Sequence, residues 1–145
     1  MSDATFSMSA PSRSADREHR HRRVLPTMDL FGIAGLASII AIHVTELGGK
    51  VDEVAYLGAG YVALTAAAFV AIVMFAVGDH RAWKLAGATA AATLVGFVLT
   101  RTTGLPGSTD DIGNWTETLA IWALVSEVGV VTLAALALLR QRQRA

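Results

Sequence analysis

The chain has 145 residues, 53% of them hydrophobic and 17% charged, with a mean hydropathy of +0.49. That length holds one domain, and the absence of cysteine excludes disulfides, thiolate metal sites and thiol catalysis. Net charge is zero, so what informs is where the charges stand; ten arginines against two lysines, with abundant alanine, fit a high-GC bacterial genome.

Residues 1–25 are polar and rich in Ser, Ala and Arg, without apolar periodicity, and read as a disordered cytoplasmic arm. The run Arg17–Arg23 precedes the first apolar segment, where basic residues act as a topology signal and meet anionic head groups; a nucleic-acid role is the weaker reading. His19 and His21 read as solvated. The first apolar run comes too late and is too long for a cleaved secretory signal. It is expected to span about Met28 to Leu47, opened by Pro26-Thr27 and stopped by Gly48-Gly49. Asp52 is expected to cap a second span, about Val54 to Val77. A third runs from about Trp83 to Thr102, with Gly104 and Pro106 as its stop. Asn114 and Glu117 have capping-box spacing ahead of a fourth span ending near Leu139.

Runs of about 20 apolar residues match the bilayer thickness. The fold class is therefore an all-α integral membrane protein, a four-transmembrane-helix bundle at residues 26–140 with a basic arm before it and a basic tail at 141–145. Ten basic residues fall in the arm, the second connection and the tail, against Lys50 and Arg101 on the other side. The positive-inside rule then puts both termini in the cytoplasm of a bacterium, the protein in its plasma membrane, and the 101–117 loop outside. Gly32, Gly35, Gly58, Gly60, Gly87, Ala91 and Gly96 supply faces for close helix packing within the bundle or between copies.

Polar residues inside spans are costly and each calls for an account. His43 and Glu46 share a helix face, near the outer end of the first span. With Glu117 at a similar height they form a candidate site for a divalent metal; Asp110 or Asp111 stands ready to complete it. The alternative is structural: Glu117 as a cap, Glu46 paired with Arg101 or Lys50, and His43 donating to a backbone carbonyl. Glu127 lies about 15–18 Å below the outer surface at 1.5 Å per residue, on a stripe with Thr116, Ala120, Ala123 and Ala134 that faces the bundle. It is either a protonated, hydrogen-bonded carboxyl beside Ser126 or a proton or cation relay. The same rise places His43 about 10 Å nearer the surface, too far to share a ligand with Glu127. Arg101 requires a carboxylate among Glu46, Asp111 and Glu117, with Arg101–Asp111 the expected ion pair. Trp115, Tyr56 and Tyr61 read as outer-interface anchors and Trp83 as an inner one. There is no phosphate loop, dinucleotide fingerprint or nucleophile elbow, and one His within a span does not supply paired haem ligands.

The pattern His43-Val-Thr-Glu46, Tyr56-Leu-Gly, Arg101-Thr-Thr-Gly-Leu-Pro-Gly, Asp111-Ile-Gly-Asn-Trp115 and Ser126-Glu127 resembles a group of small four-span membrane proteins from high-GC Gram-positive bacteria. The resemblance covers about residues 28–139 and implies the fold; that group carries no assigned activity. Two functions follow as expectations. One is an accessory subunit of a larger membrane complex or homo-oligomer, packed in the lipid bilayer and presenting an ordered outer loop. The other is a cation- or proton-binding or transport module built on the outer His and Glu residues and Glu127. A stand-alone enzyme has no nucleophile–base pair to support it, and a cofactor is unspecified beyond a divalent metal ion.

Overall fold

The computed structural model describes residues 25–143; the expected disorder of the arm falls outside them, Leu25 apart. Four helices follow one another: α1 (Thr27–Glu53), α2 (Ala55–Val77), α3 (Ala82–Thr102) and α4 (Thr118–Gln143). Each is long and apolar enough to cross a membrane, and at 1.5 Å per residue they measure about 30–40 Å, against a hydrocarbon core of about 30 Å. Among the described residues there is no strand, the single bridge between Leu105 and Ser108 aside.

Each helix packs on its chain neighbours, and α4 returns to α1, closing the four into a ring. Among the described residues α1 and α3 touch across the ring, whereas α2 and α4 stand apart. Arg140 Nη1 lies 3.7 Å from Met28 Sδ, and Gln141 Nε2 donates to the His80 carbonyl at 3.4 Å. The start of α1, the α2–α3 turn and the end of α4 therefore share one end of the bundle. The 103–117 loop and the α1–α2 junction form the other.

The buried core sits in the termini half: Leu36 and Ile39 of α1, Ala68, Ala71 and Phe75 of α2, Trp83, Ala86 and Ala90 of α3, Val130 and Ala134 of α4. Glycine and alanine bring the backbones together there. A Cβ on Gly32 would stand 2.7 Å from the Trp83 ring, one on Gly35 2.5 Å from Val130, and one on Gly87 2.8 Å from Ala134. Large apolar side chains such as Phe31, Phe69 and Trp122 are exposed around the outside, as a lipid-facing surface requires.

Several element ends differ from the sequence expectation. Helix α1 does not stop at Gly48-Gly49 but runs on to Glu53, so the expected connection over 48–53 is helical. Two helical glycines cost about 1 kcal/mol each relative to alanine; contacts beyond them outweigh that, since Val51 covers Gly58 and Lys50 pairs with Asp111. Asp52 consequently lies inside α1 and caps nothing: α2 begins after Val54, with no side-chain cap. The Asn114–Glu117 capping box also does not form. Helix α4 starts one residue after Glu117, whose carboxylate instead accepts from Asn114 Nδ2 at 3.2 Å and faces Arg101. At its far end α4 continues to Gln143, past the expected boundary at 140.

The stop of α3 is as expected. Gly104 adopts φ +71°, and its N–H reaches back to the Leu99 carbonyl at 2.9 Å, the left-handed ending that a Cβ disfavours. The loop then turns at Leu105-Pro106-Gly107-Ser108, where Leu105 and Ser108 exchange backbone hydrogen bonds of 2.8 Å. Gly107 at φ +79° supplies the positive φ that such a turn needs after its proline.

A cavity in the loop half of the bundle

Where the termini half is filled, the loop half encloses a cavity of about 210 Å³ reached by all four helices and the loop. Its polar wall groups are His43, Glu46 and Lys50 of α1, Tyr56 and Tyr61 of α2, Thr93, Thr100 and Arg101 of α3, Asp111 of the loop and Glu127 of α4. Most of the remaining surface is aliphatic or aromatic.

The rim nearest the loop is an ion-pair network. Arg101, only 7% exposed, meets Asp111 at 2.6 Å through Nη1 and Glu117 at 3.5 Å through Nη2. Lys50 Nζ reaches the second oxygen of Asp111 at 3.0 Å. The Arg101 carbonyl also accepts from Gly113 N–H at 2.9 Å, and Tyr56 donates to the Pro106 carbonyl at 2.7 Å. Loop, α1, α2 and α3 are thus tied at one level. Partial burial on its own would raise the pKa of Asp111; hydrogen bonds and charge from Lys50 and Arg101 outweigh it and hold the carboxyl below its ordinary range. The guanidinium also stands over the Phe97 ring, 5.3 Å from its centroid, a cation–π contact.

The middle of the cavity is organised by Tyr61. Its ring packs on His43 with centroids 4.6 Å apart, and its hydroxyl donates to Glu46 Oε2 at 3.4 Å. His43 turns Nδ1 back to the Ile39 carbonyl at 2.9 Å. A carbonyl only accepts, so the ring proton sits on Nδ1 and Nε2 is the nitrogen with a free lone pair.

Glu127 is the deepest α4 residue on the wall and is 2% exposed. Thr93 of α3 stands beside it, yet among the described residues Glu127 Oε2 has no hydrogen-bond partner. The Thr93 hydroxyl stands within hydrogen-bonding reach of the other side of that carboxyl and also lies 2.9 Å from the Ala90 carbonyl of its own helix. Ser126, the expected neighbour of that carboxyl, is engaged elsewhere: its hydroxyl meets that of Ser38 at 2.8 Å and joins α4 to α1.

Three sequence expectations change. The triad of His43, Glu46 and Glu117 does not assemble, because Glu117 is held outside the cavity by Arg101 and Asn114, and among the described residues no three His, Asp or Glu side chains converge as metal donors. The Ser38–Ser126 contact and the packing of Gly35 on Val130 set Glu127 level with about residue 37 of α1. His43, six residues nearer the loop, therefore stands about 9 Å above it, as expected, although both line the one cavity. Tyr61 is no interface anchor but a bridge between two polar side chains, and Trp83 is 6% exposed, edge-on to Phe75, with its indole N–H donating to Asp29 at 3.0 Å. Conversely, Arg101–Asp111 forms as expected, and Trp115 is a half-exposed ring set edge-on to Phe97.

Comparison with family models, with curated proteins and with solved structures finds no match to this chain.

Proposed function

We infer that this bundle is a membrane-embedded binding module for a cation or a proton, with Glu127 as the group that receives it. One observation carries the reading: at the closed end of the cavity a carboxyl oxygen is buried without a partner among the described residues. Leaving such a group unsatisfied costs about 1–3 kcal/mol, and an acid within a span adds to that. A positive ligand in the cavity offsets both terms, and the empty space beside Glu127 is where it fits. With the basic residues counted as topology signals, the cavity opens in the outer leaflet of a bacterial plasma membrane and both termini face the cytoplasm.

The test is thermal unfolding of the purified chain in lipid nanodiscs, titrated with sodium, zinc, protons and organic cations. At least one raises the midpoint in the native protein and none does in Glu127→Gln. A midpoint insensitive to all of them retires the reading. Because the chain has no cysteine, single substitutions Asp110→Cys and Gln141→Cys report sidedness directly: the first labels in intact cells and the second after lysis.

A second reading, an accessory subunit docking through its loop, draws support from a different feature. The loop is fixed to three helices yet leaves Ile112 and Trp115 exposed. It predicts that exchanging Ile112 and Trp115 for Ser abolishes co-purification of a membrane partner while cation-dependent stabilisation is unchanged.

A further inference from the structure

Proton accounting inside the cavity narrows the ligand. The ring proton of His43 is committed to the Ile39 carbonyl, and the single hydroxyl proton of Thr93 is shared between the Ala90 carbonyl and the near side of the Glu127 carboxyl. Tyr61 directs its proton to Glu46. From the middle of the cavity to its floor the polar wall is therefore left chiefly with acceptors: the Nε2 lone pair of His43, the oxygen lone pairs of Thr93 and, deepest, the bare Oε2 of Glu127. A ligand that satisfies such a wall must bring donors. An ammonium group has three N–H donors and a positive charge for Glu127. A chelated metal ion requires several close ligands at once, and these side chains do not converge in that way.

The rest of the cavity speaks to the ligand's body and its way in. The walls are chiefly aliphatic and aromatic: Ile42, Leu57, Leu64, Phe97, Leu105 and Leu119. The volume of about 210 Å³ falls below the roughly 300–1,000 Å³ of drug-sized sites, so the body is short. The loop end is closed by the Lys50–Asp111–Arg101 network and the Tyr61–Glu46 contact. The flank between α2 and α3 is not closed in that way. Gly60 and Gly96 both line the cavity, and a Cβ on either would meet nothing within 4 Å among the described residues. Ala92, on the same wall of α3, is exposed.

We propose that the cavity binds a small organic ammonium ion with a short apolar body, admitted from the lipid between α2 and α3. This rests on the cation reading above and names its ligand class.

The test uses the purified chain in nanodiscs and equilibrium binding of radiolabelled hexylammonium, with hexanoate and zinc as the contrasting probes. Hexylammonium binds saturably with one site per chain; hexanoate and zinc do not. Glu127→Gln weakens hexylammonium about tenfold or more, as loss of a charge-assisted contact does. Gly96→Leu, which fills the flank without touching Glu127, weakens it by a similar factor. Gly96→Leu keeps the question open to refutation if Glu127→Gln fails to fold, since its Cβ displaces no neighbour. Hexylammonium binding that is absent, or unchanged in both variants, overturns the proposal. So does saturable zinc or proton binding that depends on Glu127 without any hexylammonium binding, and in that case the cation reading survives while its ligand class fails. If no cation of any kind binds, both fall together.

Discussion

In the termini half of the bundle Gly32 lies under Trp83, Gly35 under Val130 and Gly87 under Ala134, whereas in the loop half Gly60 and Gly96 face empty space. The same residue type thus does opposite work at the two ends. In lipid no hydrophobic drive holds helices together, so contact area between backbones matters most. Where a bulky partner fills the notch, glycine draws two helices into a core. Where the space opposite is left open and the struts are long polar side chains, here Arg101, Asp111 and Lys50, glycine leaves a hollow. The packed half supplies rigidity, and the hollow half supplies chemistry with a carboxyl at its floor.

The largest effect that tests this contrast is expected at Gly35. Gly35→Val places a stiff β-branched side chain against Val130, itself 1% exposed, and overpacking of that kind costs about 1–3 kcal/mol. Unfolding in mixed micelles measures it. A second variant, Val130→Ala, returns part of the loss, and the pair shows a coupling above about 0.5 kcal/mol in a double-mutant cycle. Additive behaviour would mean that α1 and α4 are not in contact at this level.

Next in size is Arg101→Gln. It removes the guanidinium that joins the loop to α3 and leaves Asp111 held by Lys50 alone and Glu117 by Asn114. Loss of a charged hydrogen-bonding partner costs about 1–3 kcal/mol, and here the loss is local. Amide exchange accelerates across 104–113 while the core amides of α1 and α4 keep their protection. Equal acceleration in both halves would show that the two are a single cooperative unit.

A smaller, pH-dependent effect comes from Asp111. Its carboxyl is held below the ordinary range in the folded loop, so the free loop takes up a proton more readily than the clamped one. The clamp is therefore fully effective above the ordinary carboxylate range and is lost as pH falls through the lowered value. Loop amide protection should show that acid limb, and Asp111→Asn should abolish it, leaving weaker protection that no longer varies there. An acid limb unchanged in Asp111→Asn assigns the titration to another group.

The packed half was largely legible in advance and the hollow half was not. Four long apolar runs specify four spanning helices; in the hollow half the readable part was Arg101–Asp111, because an arginine at the end of a span demands a carboxylate. The end of α1 was misread because Gly48-Gly49 is a local signal, while the contacts that overrule it lie beyond that signal: Val51 on Gly58 of the next helix, and Lys50 on Asp111, 61 positions away. That single misplacement of six residues, about 9 Å of helix, hid how far α1 reaches along the loop half. It also hid Tyr61: six residues into α2 and seven before the end of α1, Tyr61 and Glu46 share a height once both ends are known. The cavity itself has no sequence signature, since Gly60 and Gly96 cannot be told from Gly32 and Gly35 until the residue opposite is known.

The smallest expected effect is therefore the most discriminating one. Alanine removes the helical penalty of glycine, about 0.5–1 kcal/mol, wherever its methyl group meets no obstacle. Gly60→Ala and Gly96→Ala should each be neutral or stabilising by up to about that amount. Gly87→Ala carries the same propensity gain but sets its methyl 2.8 Å from Ala134, and the steric term reverses the sign. Thermal unfolding of the three variants in one lipid gives that sign without any assumption about the ligand. If Gly96→Ala destabilises as Gly87→Ala does, the flank between α2 and α3 is already closed by packing, and the hollow loses the opening on which its lipid-side access depends.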